Sequence, residues 1–137
     1  MQLVTDKFVE HLTLGHGICP SSRKTLPFRA SPLAILLLPP NKALALAKSA
    51  PIIPEWHPNK FGWSLEQHFG RIRFFIENPS DDPIKIWVSG VTGFLTIMDG
   101  HHRFLAAVIT QSPTVKISYV GRPDLPPIQE LLSTMTV

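Results

Sequence analysis

Five consecutive residues, Asp99-Gly100-His101-His102-Arg103, gather a carboxylate, two imidazoles and a guanidinium around one glycine. The preceding Ile97-Met98 is apolar and the following Phe104-Leu-Ala-Ala107 suits a helix, so the group reads as a strand that stops and restarts at once as a helix. Gly100 allows a sharp turn and close approach of a ligand to the backbone. The amides of His101, His102 and Arg103 then fall in the first helical turn, where they have no partner within the helix. Helix-dipole charge, free amides and a permanently charged guanidinium converge there, which suits a phosphate group. Asp99 is placed to hold a divalent metal such as Mg²⁺ or to accept a proton. His101 or His102 is suited to acid–base chemistry near neutral pH.

A plainer account of the same residues has Asp99 capping the helix, one histidine packing inside and Arg103 pairing with a surface carboxylate. Against it, neither histidine nor arginine is favoured in a first helical turn, where the dipole disfavours positive charge. Glu55, Trp56 and His57 lie in a loop rich in proline and aromatics, Pro51 to Gly62, of the kind on which sites are often placed. His11, His16 and Cys19 are spaced by five and three residues and lack a fourth ligand, which matches no zinc site. Arg71 and Arg73 stand two apart on a helix, face different sides and form no clamp between them. Trp63, Phe69, Phe74 and Phe75 read as core residues rather than base-stacking platforms.

The elements that must position this turn are legible to different degrees. Residues 1–32 read as an irregular N-terminal arm with at most a short helix around Thr5 to Leu12. Leu33 to Leu38, a continuous apolar run closed by Pro39-Pro40, reads as a buried strand. A helix over Lys42 to Lys48 follows, with Asn41 as its N-cap. Ser64-Leu-Glu-Gln67 matches a capping box, and Leu65, Phe69, Ile72 and Ile76 recur at helical spacing up to Asn78-Pro79. From Ile84 the period becomes two, predicting a hairpin over residues 84–98 with its turn at Ser89 to Gly93. A helix from Arg103 to Ile109, a strand over Val115 to Val120 and a closing helix over Ile128 to Met135 complete the chain.

With 137 residues, 44% apolar and 17% charged, the chain suits one domain around one core, 33–121, with a C-terminal helical tail over 122–137. The longest apolar run is far shorter than the roughly 20 residues a membrane-spanning helix needs, and no secretory signal is visible, so a cytoplasmic protein without membrane contact is expected. Cys19 is the only cysteine, which excludes an intrachain disulfide and a thiolate zinc cluster. Residues 1–60 hold seven Lys/Arg and three Asp/Glu, a balance of +4, whereas residues 61–137 hold six and seven, a balance of −1. That mild asymmetry permits contact with nucleic acid but lacks the dense basic stripes of dedicated nucleic-acid proteins.

Asp99-Gly-His-His-Arg-Phe-Leu-Ala-Ala107 resembles the signature turn of the ParB/sulfiredoxin superfamily. The hairpin, signature helix and Val115 to Val120 follow the family's order, and Leu33 to Ser49 would supply its opening strand and helix. The family packs its preceding loop and helix near this turn, which implies Glu55, Trp56, His57 and His68 as further candidates for the same site. The resemblance implies an α/β (α+β) fold, a small mixed sheet with packed helices, and a nucleoside triphosphate, ATP or CTP, bound through Gly100, His101, His102 and Arg103 with Mg²⁺ at Asp99.

Departures from the family narrow the function. Sulfiredoxins carry a catalytic cysteine in this turn, where a histidine stands here, so sulfinic acid reduction is not expected. Only 17 residues follow Val120, too few for the operator-binding and dimerisation regions of partitioning proteins. Related free serine kinases need an additional carboxylate base, for which Glu55 and Glu66 are candidates. What remains resembles stand-alone members from plasmids and phages, including fertility-inhibition proteins with nucleotidase or nuclease activity. The expectation is Mg²⁺-dependent phosphoryl transfer or phosphodiester hydrolysis on a nucleotide or on nucleic acid without sequence specificity. The alternative is a non-catalytic, nucleotide-responsive protein that inhibits a protein partner.

Overall fold

A computed structural model describes residues 2–15, 32–55, 63–88, 95–121 and 126–136. The expected hairpin turn, Trp56, His57, His16 and Cys19 lie outside these residues. The fold is mixed α/β. In chain order the described elements are β1 (Gln2–Val4), α1 (Thr5–Gly15), a 3-10 helix (Pro32–Leu37), α2 (Pro40–Ser49), α3 (Leu65–Glu77), β2 (Ile84–Val88), β3 (Leu95–Asp99), α4 (His101–Ile109), β4 (Thr114–Tyr119) and α5 (Pro126–Met135).

The strands form one four-stranded sheet in the order β1-β4-β2-β3. β2 pairs antiparallel with β3 and parallel with β4, while β1 pairs antiparallel with β4. Two-residue alternation puts Leu3, Ile84, Ile86, Ile97, Val115 and Ile117 in the core and leaves Lys85, Trp87 and Lys116 exposed. Lys85 lies opposite Asp99 and Ile86 opposite Ile97, so Met98 is the extra residue of a bulge at the end of β3. Such a bulge re-aims the chain where the strand turns into the site.

α4 is the central helix of the buried face, with Phe104, Leu105, Ala106 and Ile109 inside, and α2, α3 and the 3-10 helix pack against it. α3 forms as its residues dictate. The Ser64 hydroxyl accepts from the Gln67 amide at 3.3 Å and the Gln67 side chain accepts from the Ser64 amide at 2.8 Å, so two otherwise orphaned donors are satisfied. Ser64→Ala is expected to lower stability by about 1 kcal/mol, read as a lower urea midpoint at unchanged slope.

Three sequence expectations are corrected. The short helix expected around Thr5 to Leu12 forms as α1, but residues 2–15 are not an irregular arm: β1 is an edge strand, and α1 carries Phe8 fully into the core, edge-to-face on Phe104 at 5.1 Å. Leu33 to Leu38 is not a strand, and so not a family-type opening strand. Its backbone closes on itself, Leu38 N–H donating to Ile35 C=O at 3.0 Å, because a short run between prolines finds no sheet neighbour to take its peptide groups. Asn41 does not cap α2: the helix starts two residues earlier than expected, at Pro40, with Pro39 in the cap position, since proline's fixed φ and missing N–H suit a first helical residue. α5 contributes Ile128, Leu132 and Met135 to the same core cluster as Leu3 and Phe104, so chain start, centre and end share one interior.

Candidate functional site

The strand-to-helix junction has the anticipated form. β3 ends at Asp99, Gly100 adopts φ 97° and ψ 24° in the left-handed region, and α4 begins at His101. A Cβ on residue 100 would stand 2.8 Å from Arg103 Nη2, the movable end of a side chain, and 3.4 Å from Ile84 Cα, so it is the left-handed backbone that requires glycine here. Gly100 itself occupies the N-cap position, no side chain caps the helix, and its carbonyl accepts from the Phe104 amide at 2.9 Å. Asp99 is therefore not the helix cap.

The junction opens into a cleft of about 430 Å³ lined by α3, the end of β3 and the first turn of α4. Arg103 forms part of its wall, 19% exposed, with Nη2 donating to the Pro83 carbonyl at 3.2 Å and lying 3.8 Å from Asp99 Oδ2. Its Nε is buried and has no hydrogen-bond partner among the described residues. Asp99 remains 64% exposed. Arg71 reaches the same cleft from α3; its guanidinium lies 4.5 Å from the Phe75 ring centre and donates to the carbonyls of Ile53 and Pro54. Arg103 approaches the same ring at 5.9 Å. Burial and then the charge of Arg103 lower the Arg71 pKa, while Glu55 opposes the shift, so the two guanidinium groups repel each other across a shared aromatic ring.

Behind the cations lies an imidazole pair. His68 Nδ1 and His102 Nε2 are 2.8 Å apart, both side chains are buried, and the rings stack at 5.1 Å with 23° between their planes. Trp63 tilts against both, at 5.7 and 5.9 Å. Burial, and then His68, His101 and Arg71, push the His102 pKa down to about 3, so its ring is uncharged at neutral pH. Burial also lowers the His101 pKa, with Asp99 opposing. His101 is the less buried of the two, which makes it the one available to exchange a proton with a ligand.

No known family, curated protein or solved structure matches this chain. The site is accordingly read from its own chemistry. Gly100, His101, His102, Arg103 and Asp99 come together as the sequence suggested, joined by His68. Glu55 does not line the cleft; it is exposed and acts on the site through its charge on Arg71. Glu66 is exposed in the first turn of α3 and also lies off the cleft. Arg71 was missed by asking only whether it pairs with Arg73. Its signal was the spacing His68, Arg71, Phe75, three and four residues apart on one helix face. Among the described residues no three His, Cys, Asp or Glu side chains cluster as a metal site. The single carboxylate of Asp99 fits Mg²⁺ only as an ion whose other ligands are phosphate oxygens and water.

Proposed function

We propose that this chain is a ParB/sulfiredoxin-like domain that binds the phosphates of a nucleoside triphosphate, ATP or CTP, and catalyses phosphoryl transfer or phosphodiester hydrolysis. The observation that carries the reading is the charge of the cleft: two guanidinium groups and the amino end of α4 meet at a left-handed glycine, and Asp99 is the one carboxylate among the described lining residues. Its volume is within the usual range of small-molecule sites. A nucleic-acid phosphate would meet the same groups, without any means of reading sequence.

In this reading the Arg103 guanidinium holds a phosphate oxygen, the amides of the first α4 turn donate to a second, and Arg71 faces the charge that develops on transfer. Asp99 holds Mg²⁺, which when bound neutralises phosphate charge. His101, uncharged because of its burial, takes the proton of the attacking hydroxyl or water. His102, its ring braced by His68 and Trp63, keeps the turn in place. A second reading, binding without turnover in order to inhibit a protein partner, is favoured by Met98, which stands 57% exposed at the rim of the cleft where an adaptable apolar side chain suits a protein contact.

Calorimetric titration of ATP and CTP with Mg²⁺ tests the proposal. Wild type binds at least one of them, Arg103→Ala loses at least about tenfold in affinity, and Arg71→Met loses less because its guanidinium is already held by two backbone carbonyls. Failure of every nucleotide to bind rejects the reading. Product release separates the enzyme from the binding module, for which Asp99→Asn leaves affinity nearly intact.

A further inference from the structure

The sheet has a second face that the cleft does not use. The helices bury their apolar residues in one cluster with Leu3, Ile84, Ile86, Ile97, Val115 and Ile117, the inward set of the strands. Lys85, Trp87 and Lys116 alternate with that set and are exposed on the other side. Lys85 and Trp87 stand two apart on β2, about 7 Å along the strand. Lys116 lies two residues before Ser118, the register partner of Lys85 on β4, so Trp87, Lys85 and Lys116 make a diagonal row across two neighbouring strands. Neither lysine has a hydrogen bond or ion pair among the described residues, and the Trp87 ring stacks on no other described ring. The indole is nevertheless held in place. It rests against Gly121, where a Cβ would stand 3.2 Å from Trp87 Cδ1, and the neighbouring Val120 amide is fixed by donating to the Ile86 carbonyl at 2.8 Å. Trp87 keeps 41% of its surface in solvent. The four strands hold a single acidic residue, Asp99, which lies opposite Lys85 and belongs to the cleft.

We infer that this outer face binds single-stranded nucleic acid, with a base stacked on the Trp87 indole and the adjoining phosphates on Lys85 and Lys116. A fixed, unstacked indole offers a surface to any base, and unpaired lysines beside it supply the charge that a phosphate backbone needs. The bases of a duplex are already stacked on one another and cannot use the indole in this way. The lysines also speak against a protein partner, since the centres of protein interfaces are depleted in lysine. Lys85 faces Asp99 across the strands and Met98 lines the cleft, so a backbone leaving Lys85 is led towards the Gly100 turn. That continuity rests on the phosphate-binding reading and makes its substrate a polymer; the surface itself uses residues outside the cleft.

The test is fluorescence anisotropy of labelled oligo(dT) and oligo(U), about twelve nucleotides long, and of a duplex of equal length, with the full chain at low and moderate salt. Wild type is expected to bind one or both single strands more tightly than the duplex. Trp87→Ala should lose at least about tenfold in that affinity, while Trp87→Phe, which keeps a ring to stack on, should stay within about threefold of wild type. The double variant Lys85→Gln/Lys116→Gln should lower the slope of log affinity against log salt by about 1.4, the value for two phosphate contacts on a single strand. All three variants should retain the wild-type affinity for Mg²⁺-nucleotide. Absence of single-strand binding, equal binding of the duplex, an unchanged affinity in Trp87→Ala, or an equal loss in the alanine and phenylalanine variants overturns the inference. Nucleotide binding that persists in any of those cases leaves the cleft reading standing. Single-strand binding that depends on Trp87 without any nucleotide binding keeps this surface and rejects the cleft reading.

Discussion

Gly70→Ala lowers the stability of the protein by about 3 kcal/mol or more, against the ordinary rule for helices. In an exposed helix interior, alanine is better than glycine by up to about 1 kcal/mol. Gly70 is buried in the middle of α3, and a Cβ there would overlap the Pro51 carbonyl oxygen and stand 3.1 Å from Ile53 Cγ1. The Pro51 oxygen is backbone and cannot swing aside as a side-chain tip would. The segment is also tied to the helix: Ile53 N–H donates to the Gly70 carbonyl at 3.1 Å, Arg73 to the Ala50 carbonyl at 2.8 Å and Arg71 to the carbonyls of Ile53 and Pro54. Adding one methyl group strains these ties together and displaces Arg71 from the cleft. Urea unfolding should show the loss as a lower midpoint, and nucleotide affinity should fall with it. An equal or higher midpoint would mean that residues 51–54 do not lie against α3 as described.

Acid destabilises the protein well above the range in which carboxylates titrate, and His102 is the reason. An unfolded histidine titrates near 6.5, whereas the folded ring is held down to about 3. Between those values the unfolded chain binds a proton that the native protein refuses, so stability rises with pH across that window and is level above it. The slope from this residue approaches about 1.4 kcal/mol per pH unit, and its full size by pH 3 is on the order of 4 kcal/mol. Urea midpoints measured from pH 8 to pH 4.5 should be flat to about 7 and then decline. His102→Gln, which keeps an amide facing His68, should flatten the decline between pH 6.5 and 5. Identical slopes in variant and wild type would show that His102 titrates normally in the folded protein.

What could be read from the residues, and what could not, follows the range of the interactions involved. The capping box at Ser64, the period-two run from Ile84 and the turn at Asp99-Gly100 are local patterns, and each forms the element expected of it. The run Leu33 to Leu38 carries no period at all, so its apolarity fixes burial without choosing between strand and helix. β1 is three residues long, too short for alternation to register, and belongs to the sheet only because β4 offers it an edge. The candidate site divides in the same way. Residues 99–103 were legible because they are contiguous, whereas the His68–His102 contact spans two helices and depends on how α3 lies against α4. Glu55 was attractive as a carboxylate near the turn, but chain proximity put it beside Arg71 rather than in the cleft.

The position of β1 bears on how the molecule comes into being. Leu3 pairs with Val115 and bridges to Thr136, and its side chain is fully buried among residues from the far end of the chain. A ribosome makes about 5–20 residues per second, so this strand waits several seconds for its partner. Until β4 emerges, Leu3 and Phe8 have no sheet edge and no α4 to cover them, and the ring of Phe104 that closes over Phe8 is itself late. Contacts so distant in sequence carry a large loop-closure cost before they return anything. The sheet and the helix that follows Gly100 are therefore completed in one late step, and the candidate site is assembled only after β4 has been made.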